Sequence, residues 1–228
     1  MDQHLSTYLR SSVGKKQIMA LTGLLLCGFL PAHLAGNFLL LISREAFNTY
    51  AHTLISHPLI YGAEAVLAAL FLSHIGLGLK LTVENSKARP VRYHLKRPTG
   101  RGETLASKTM IYTGLWTLVF LVIHLFNFRL NPSLTKEKVV HGGIEMSDLY
   151  GLVMTHFQSL EWTIYYVVST LFLGLHLSHG LASAFQSLGL HHPSYTPPLK
   201  KLSVIYAVAM TAGFSAVALF CHFKGQSL

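Results

Sequence analysis

The sequence predicts an all-α membrane protein in which five transmembrane helices form one bundle. Two observations lead to this fold class. The chain of 228 residues is 51% hydrophobic and only 12% charged, which is about half the charged fraction of an ordinary soluble domain. Five apolar runs also reach the roughly 20 residues that a helix needs to cross a bilayer. We therefore expect one integral membrane domain over residues 1–228.

The apolar runs place the spans, in chain order. They are expected at about residues 17–42, 59–83, 109–130, 160–188 and 202–222. The first run is too long for a cleavable signal peptide, whose apolar region has about 7–15 residues, and is assigned as a membrane span. The fourth run is longer than the bilayer requires, which is compatible with a tilted helix.

The distribution of lysine and arginine predicts the orientation. Five spans put the two termini on opposite sides of the membrane. The N-terminal arm, the loop between spans two and three and the segment before span five hold 13 basic residues, whereas the other side holds 5. Cytoplasmic loops are enriched in these residues, so the N-terminus is expected in the cytoplasm and the C-terminus outside. Because the basic residues lie between spans, the net charge of +9 does not indicate nucleic-acid binding.

Two loops and two cysteines carry weaker signals. The basic loop from Glu84 to Ser107 is either a solvated topology signal or a docking surface for a cytoplasmic partner. The outer loop from Asn131 to Ser159 has mixed charge and could form a short surface helix over the bundle. Cys27 and Cys221 both lie in apolar spans and are interpreted as small buried side chains, not as a disulfide.

Four histidines lie inside apolar spans, one in each of the first four. An intramembrane imidazole is costly, rare and usually functional. Spans one and three run outward and place His33 and His124 in the outer half of the membrane. Spans two and four run inward and place His74 and His176 in the inner half. The histidines thus form an outer pair and an inner pair, on the order of 10 Å or more apart in depth.

Two imidazoles at one depth on different helices are what axial ligation of a haem iron needs. The sequence therefore predicts two bis-histidine haems b, the outer held by His33 and His124 and the inner by His74 and His176. Bis-histidine ligation leaves no open coordination position, which favours electron transfer over oxygen chemistry. For a single intramembrane histidine, an interhelical hydrogen bond is the simpler alternative.

Glycines recur close to these histidines. Span two has His74 and Gly78, and span four has His176 and Gly180, so both read His-x-x-x-Gly. Residues four apart share a helix face, and a glycine there removes a side chain that would strike a porphyrin. Gly36, three residues after His33, could serve the same purpose. Close packing of helices through small residues is the alternative.

His179 competes with His176 as the ligand from span four. His176 is preferred because it reproduces the His-x-x-x-Gly pattern, and His179 would then contact a haem propionate. Other basic side chains could also bind propionates, although none is specific and a lipid-headgroup or snorkelling role is favoured for each. They are Lys80 and Arg89 on the inner side, and Arg44 and Arg129 on the outer side.

With these features in place, the chain resembles a known family. The resembling segments are residues 11–16 (SSVGKK), 29–37 (FLPAHLAGN), 176–181 (HLSHGL) and 183–189 (SAFQSLG). The resemblance is to the cytochrome b membrane anchor of succinate:quinone and quinol:fumarate oxidoreductases, in its five-helix, two-haem, single-subunit form. It covers nearly the whole chain, and the order of the four histidines is its most specific part.

The resemblance implies the same histidine pairing and a bacterial cytoplasmic (inner) membrane. It implies two cytoplasmic partners, a flavoprotein with covalent FAD and an iron–sulfur protein, which carry all of the dicarboxylate chemistry. Electrons would run between the dicarboxylate and a menaquinone pool through both haems. A dimer of the whole complex is left open. Some family members carry a glutamate two residues before the span-four ligand for proton transfer, and here that residue is Gly174.

A quinone at the outer haem must exchange protons, so a carboxylate near the outer rim is expected. Glu64 is the one acid within the apolar body of a span, and it is predicted to accept protons from menaquinol. Its alternative is a rim residue that is solvated or bonded to a neighbour. Two other functions compete with the anchor subunit. One is the cytochrome b of a hydrogenase or formate dehydrogenase, and the other is a haem-free transporter that uses membrane histidines.

Overall fold

The structure is a computed structural model that describes residues 2–88, 105–131 and 137–226. The helices of the described residues, in chain order, are α1 (Asp2–Arg10), α2 (Ser12–Phe38), α3 (Arg44–Ser56), α4 (Ile60–Lys87), α5 (Leu105–His124), α6 (Leu149–Gln158), α7 (Leu160–Ser187) and α8 (Thr196–Gly225). A 3₁₀ turn, Leu39–Leu41, extends α2, and a π turn, Leu125–Arg129, extends α5.

Five helices of the described chain are long and apolar enough to cross a membrane, which confirms the predicted number. They are Ser12–Leu41, Ile60–Lys87, Thr109–Arg129, Leu160–Ser187 and Thr196–Gly225. At the predicted cytoplasmic end, the first and last begin several residues before the apolar runs do. They include Lys15, Lys16, Lys200 and Lys201. Helices continue into the headgroup region, where charged residues are tolerated, so hydropathy alone underestimates their length.

The local sequence explains where several helices begin. Before α2, α3, α6 and α7, a serine or aspartate side chain accepts a hydrogen bond from a backbone N–H of the first turn. These capping residues are Ser11, Ser43, Asp148 and Ser159. Helix α8 instead begins with two prolines in its first turn, a position where the missing N–H costs nothing. The chain thus marks its own helix starts between the apolar runs.

Four of the long helices form a ring in the order α4, α2, α7, α5. Helix α2 packs against α4 and α7, α5 packs against α7, and contact between α5 and α4 is thinner. Helices α2 and α5 therefore face each other across the ring, as do α4 and α7. Helix α8 lies outside the ring against α7 and α2. The two diagonals of this ring carry the four membrane histidines.

Helices α7 and α8 form the most closely packed interface of the described chain. Small and hydroxyl residues allow this approach: Thr170 Oγ1 bonds Ser215 Oγ at 2.8 Å, and Thr211 Oγ1 donates to the carbonyl of Thr170 at 3.2 Å. Gly174 is buried here, and a side chain at this position would collide with Thr211. Gly174 therefore serves helix packing, and the space that a carboxylate would need at this position is filled by α8.

A proline inside α2 creates a further link to α8. Pro31 has no N–H, so the carbonyl of Cys27 lacks its helical partner. Tyr206 of α8 donates its hydroxyl to that carbonyl at 2.5 Å. An unpaired carbonyl in an apolar environment is costly, and Tyr206 thus stabilises the proline-containing turn two residues before His33.

The connections at the predicted outer end form a layer over that end of the bundle, and they add a small β-hairpin to the otherwise helical fold. Strands β1 (Lys138–His141) and β2 (Ile144–Ser147) pair antiparallel, and Val139 faces Met146. Their two-residue turn is Gly142–Gly143, with φ of +57° and +78°. Two glycines with positive φ between β-branched residues favour a type I′ hairpin. The short surface helix expected in this loop is present as α6.

Buried polar contacts hold the outer layer together. Asp148 accepts hydrogen bonds from Arg44 Nε at 3.0 Å and from Asn48 Nδ2 at 2.8 Å, and Asn48 Oδ1 accepts from the N–H of Tyr150 at 2.8 Å. Asn48 and Asp148 are 0% and 4% exposed. These contacts tie the start of α3 to the start of α6, so the two outer connections form one unit.

Two predictions fall partly outside the described residues. The proposed docking loop from Glu84 to Ser107 is described only at its two ends, and Arg89 lies in the part that is not described. The first residues of the outer loop, 132–136, are also outside the described ranges.

Candidate functional site

The four membrane histidines meet in two pairs inside the ring of helices. The rings of His33 on α2 and His124 on α5 have centres 5.8 Å apart and planes crossing at 86°. The rings of His74 on α4 and His176 on α7 have centres 6.3 Å apart and planes crossing at 81°. Each pair comes from diagonal helices, so each imidazole reaches across the bundle axis to its partner. These are called the outer pair and the inner pair.

The separations fit two imidazoles on opposite sides of one metal. Because imidazole nitrogens bind metals at about 2 Å and lie about 1 Å from the ring centre, two such rings have centres about 6 Å apart. Ordinary aromatic pairs also lie about 4.5–7 Å apart. The distance is therefore compatible both with a bound metal and with ordinary ring contact. The hydrogen bonds of the rings show in addition which nitrogen is available to bind a metal.

In the inner pair, Nδ1 of His74 is held by α2. It lies 3.2 Å from the carbonyl oxygen of Met19 and 3.4 Å from Oγ1 of Thr22. A carbonyl only accepts hydrogen bonds, and the Thr22 hydroxyl already donates within α2, to the carbonyls of Ile18 and Met19 at 3.0 Å. Nδ1 is therefore the protonated nitrogen, and Nε2 of His74 carries the lone pair.

The second imidazole of the inner pair is held in the same way by α5. Nδ1 of His176 lies 3.4 Å from Oγ1 of Thr113, which donates its own proton to the carbonyl of Met110 at 3.1 Å. Nε2 of both inner histidines makes no hydrogen bond within the described ranges. A ligating imidazole shows this pattern, in which Nδ1–H is fixed by an oxygen and Nε2 remains to bind a metal.

Glycines accompany the inner pair on both sides. A Cβ at Gly23 would meet only ring atoms of His74, the nearest at 3.0 Å, and a Cβ at Gly114 would meet only ring atoms of His176, the nearest at 3.3 Å. A Cβ at Gly78 would meet nothing closer than Sδ of Met19, at 3.9 Å. Gly180 is equivalent, with Cε of Met110 at 3.7 Å. Close helix packing therefore does not require Gly78 or Gly180.

Gly36 has a different role from the one predicted. A Cβ at this position would lie 2.8–3.0 Å from the ring of Tyr50. Gly36 is buried and accommodates Tyr50 of α3, so it connects the bundle to the outer layer. The spacing of three residues from His33 gave no means of distinguishing a porphyrin from a neighbouring tyrosine.

The residues that hold the inner pair were not predicted, although the sequence contains a signal for them. Both α2 and α5 contain Met-x-x-Thr-Gly-Leu followed by His-Leu, with identical intervals. In α2 these are residues 19–34, and in α5 they are residues 110–125. In each copy, the threonine and glycine contact an inner histidine, and the histidine belongs to the outer pair. Helices α2 and α5 thus share an internal sequence repeat.

The outer pair lies among aromatic rings. His33 stacks on Phe29 of the same helix, with ring centres 5.3 Å apart, and lies 5.8 Å from Phe214 of α8. The ring of His124 is surrounded by further aromatic rings at 5.5–6.0 Å. These belong to Phe120, Phe128 and Tyr166. Neither ring nitrogen of His33 makes a hydrogen bond in the part of the chain that the structure describes.

A chain of polar side chains leads from the outer pair to the outer layer. Tyr166 Oη lies 3.5 Å from Nδ1 of His124 and accepts a hydrogen bond from Asn127 Nδ2 at 3.1 Å. Asn127 Nδ2 also lies 3.3 Å from Nε2 of His156 on α6. Burial lowers the pKa of His156 below its ordinary value. Asn127 belongs to the π turn, a helical distortion that is frequent at functional sites.

Glu64, the predicted proton acceptor, forms an ion pair at the predicted outer end of the bundle. Both oxygens of Glu64 accept hydrogen bonds from Arg129, at 2.6 and 2.9 Å. The two side chains are 39% and 46% exposed. Arg129 is thereby engaged by Glu64, and Arg44 by Asp148, so both outer candidates for binding a propionate have a protein partner. At the other end of the bundle, Lys15 contacts both oxygens of Glu84 at 2.5 Å.

His176, and not His179, lies opposite His74 in the structure. His179 makes no ring contact with His74 among the described residues. Within those residues, no three His, Cys, Asp or Glu side chains gather as ligands of a bare metal ion. The imidazoles lie in two pairs, and the iron of a bis-histidine haem takes two axial imidazole ligands. The residues present therefore fit that group.

The chain was compared with protein-family models, with curated proteins and with solved structures, and none of the three comparisons finds a match. The geometry of the histidine pairs and the sequence pattern therefore carry the functional interpretation.

Proposed function

We propose that this chain is the dihaem cytochrome b membrane anchor of a succinate:menaquinone or menaquinol:fumarate oxidoreductase. One observation supports the haem assignment most strongly. Two imidazole pairs lie between diagonal helices, and Nδ1 of both inner histidines is fixed by an oxygen of a neighbouring helix. A bound bis-histidine haem would supply a one-electron carrier, and two of them would carry electrons between the two faces of the membrane.

The chain's own residues provide ligands, orientation and an apolar surrounding. His74 and His176 would hold the inner haem, and His33 and His124 the outer one. Fixed Nδ1–H groups keep the lone pair on Nε2 and hold the ring planes. Gly78 and Gly180 leave the helix face one turn from each inner ligand without a side chain. The apolar helices around both pairs exclude water, which favours electron transfer over side reactions.

The choice of enzyme rests on the family resemblance. The resembling segments include residues 29–37 around His33 and residues 176–181. In that family, a flavoprotein with covalent FAD and an iron–sulfur protein bind on the cytoplasmic side and perform the dicarboxylate chemistry. In the proposed complex the basic inner ends of the helices face those partners. Gly174 packs against Thr211, so we propose no proton path at this position.

We propose that menaquinol is oxidised or menaquinone reduced near the outer pair and that Glu64 exchanges protons with it. Glu64 lies in the first turns of α4, at the predicted outer end of the bundle, and is partly exposed. Arg129 binds both carboxylate oxygens of Glu64, so a quinol that reaches this carboxylate would meet the ion pair and not an isolated acid. Glu64→Gln is expected to lower quinol-linked turnover by at least tenfold while both haems remain. Unchanged turnover would contradict this role.

Co-purification tests the enzyme assignment. The chain would be tagged and isolated from membranes in mild detergent, and its partners would be examined for covalently bound flavin and for succinate or fumarate turnover. A covalent flavoprotein with dicarboxylate activity is the expected result. Haem with a hydrogenase or formate dehydrogenase partner would favour another respiratory anchor. Absence of haem from the intact complex would favour the transporter and overturn the proposal.

A further inference from the structure

We infer that Thr22–Gly23 of α2 and Thr113–Gly114 of α5 are two matching clamps that set the tautomer and the ring plane of His74 and His176. This inference rests on the proposed haem function and concerns residues beyond the ligands. A clamp is defined here as the threonine hydroxyl and the glycine surface that together contact one inner imidazole. Each clamp lies on the helix that neighbours the ligand's own helix in the ring.

The first support is chemical. In both clamps the threonine Oγ1 lies 3.4 Å from Nδ1 of the imidazole, while the hydroxyl proton is donated inside the threonine's own helix. The threonine therefore presents a lone pair, and only an Nδ1–H group satisfies it. The other tautomer would place two lone pairs against each other. The clamp thus selects the form of the imidazole in which Nε2 can bind iron.

The second support is steric. The only atoms within 4 Å of a Cβ added to Gly23 belong to the His74 ring, and the only ones at Gly114 belong to the His176 ring. Neither glycine is needed for contact with another helix backbone. Each glycine therefore serves the imidazole, by allowing one edge of the ring to lie directly on the helix surface. Contact on that edge restricts rotation of the ring about its own side-chain bonds.

The third support is the repeat. The interval from the threonine–glycine pair to the outer-pair histidine is the same in α2 and α5. Because α2 and α5 face each other across the ring, the two clamps approach the inner pair from opposite sides. The inner imidazole planes cross at 81°. A haem held there would show the strongly anisotropic low-spin EPR signal that nearly perpendicular axial imidazoles produce.

The test combines four substitutions with two controls in the purified complex. Gly23→Ala and Gly114→Ala push on the imidazoles, whereas Thr22→Val and Thr113→Val remove the hydroxyls at nearly constant volume. Gly28→Ala is the matched glycine control, because nothing lies within 4 Å of its added Cβ. Thr82→Val is the threonine control, since its exposed hydroxyl bonds only its own helix. Readouts are haem per chain, the low-spin EPR signals and the reduction midpoint of each haem.

We expect all six variants to keep two haems and an unchanged outer-haem signal. The four clamp variants should shift the inner-haem EPR signal and midpoint, and Gly23→Ala should act more strongly than Gly114→Ala, because its contact is shorter, 3.0 Å against 3.3 Å. If the wild type holds two haems but the clamp variants behave like the controls, the clamps are overturned and the proposed function is not. A wild type without haem would overturn the proposed function and the clamps together.

Discussion

The inner and outer histidine pairs have similar separations but are held by different means. The inner imidazoles are fixed by hydrogen bonds to α2 and α5 and by contact with glycines, and their only aromatic contact among the described residues is with each other. The outer imidazoles lie in a cage of phenylalanine and tyrosine rings, and their one hydrogen bond there, between His124 and Tyr166, is long. Similar ring separations therefore arise from polar contacts in one pair and from packing in the other.

This difference indicates which substitutions should disturb each pair. A hydrogen bond fixes both the tautomer and the direction of a ring, whereas aromatic packing fixes its position and leaves the tautomer to a weaker partner. The inner pair should therefore respond to small changes at glycine and threonine. The outer pair should respond to changes in the aromatic cage and in the polar chain that leads to α6.

The largest effect is expected from filling the space beside the inner ligands. Gly78→Leu and Gly180→Leu should each remove the inner haem, because the added side chain occupies the face of the helix one turn from the ligand. The outer haem should remain, since no close protein contact is broken. Haem per chain, measured on the purified protein, should fall from two to one. Gly28→Leu is the control with open space, and equal haem in all three variants would contradict this role of the glycines.

An intermediate effect is expected in the outer layer that covers the outer pair. Asp148→Ala leaves buried Asn48 and Arg44 without their carboxylate, which should destabilise the protein by about 1–3 kcal/mol. Thermal unfolding in detergent, followed by loss of the outer-haem signal, measures this. Glu45→Ala is a suitable control, because Glu45 is an exposed acid on α3, the helix that carries Arg44 and Asn48. If Asp148→Ala is as stable as that control, Asp148 does not stabilise the outer layer.

The same carboxylate predicts the response to pH. Burial opposes ionisation of Asp148, but hydrogen bonds from Arg44, Asn48 and the N–H of Gly151 outweigh it and hold the pKa below its ordinary value of 3.8. Since the folded pKa is lowered, the stabilisation is present above about pH 4 and is lost as the pH falls through the folded value. Wild-type stability should therefore drop below about pH 4, and Asp148→Ala should show a smaller drop. Equal slopes would show that Asp148 is not the group concerned.

The smallest effect is expected from the polar chain. Tyr166→Phe removes the hydroxyl beside His124 and leaves Asn127 bonded to His156 alone, at a cost of about 1 kcal/mol. The outer-haem spectrum should shift slightly, and the inner-haem spectrum should not change. Tyr165→Phe, the neighbouring tyrosine whose hydroxyl has no partner among the described residues, is the matched control. A shift confined to the inner haem would contradict the assignment of Tyr166 to the outer pair.

Much of the bundle could be predicted because the length of an apolar run, and the position of a histidine along it, can be counted directly in the sequence. The number of long apolar helices follows from composition, and the depth of His33 and His124 follows from counting along spans. The residues that hold the rings could not be obtained in this way, because Thr22 and Gly23 act on a histidine of another helix. Only the repeat between α2 and α5 could have indicated them.

Features of the outer layer were missed for another reason. Gly142 and Gly143 between β-branched residues do predict a hairpin, but the membrane class of the chain favoured helices throughout. The partner of Gly36 is Tyr50, which lies in a connection that was not assigned a helix. The ion pair between Glu64 and Arg129 joins two spans at a rim position whose register cannot be read from hydropathy. Tertiary contacts of this kind require the packed structure.

The central claim, two bis-histidine haems held by specific pairs, is tested most directly by haem quantitation with a reduced-minus-oxidised spectrum. The measurement would include the wild type and the alanine variants of His33, His74, His124 and His176. Two low-spin b haems in the wild type are expected. The His33 and His124 variants should lose the outer haem, and the His74 and His176 variants the inner haem. Absence of haem from the wild type, or losses that pair the histidines differently, would contradict the claim.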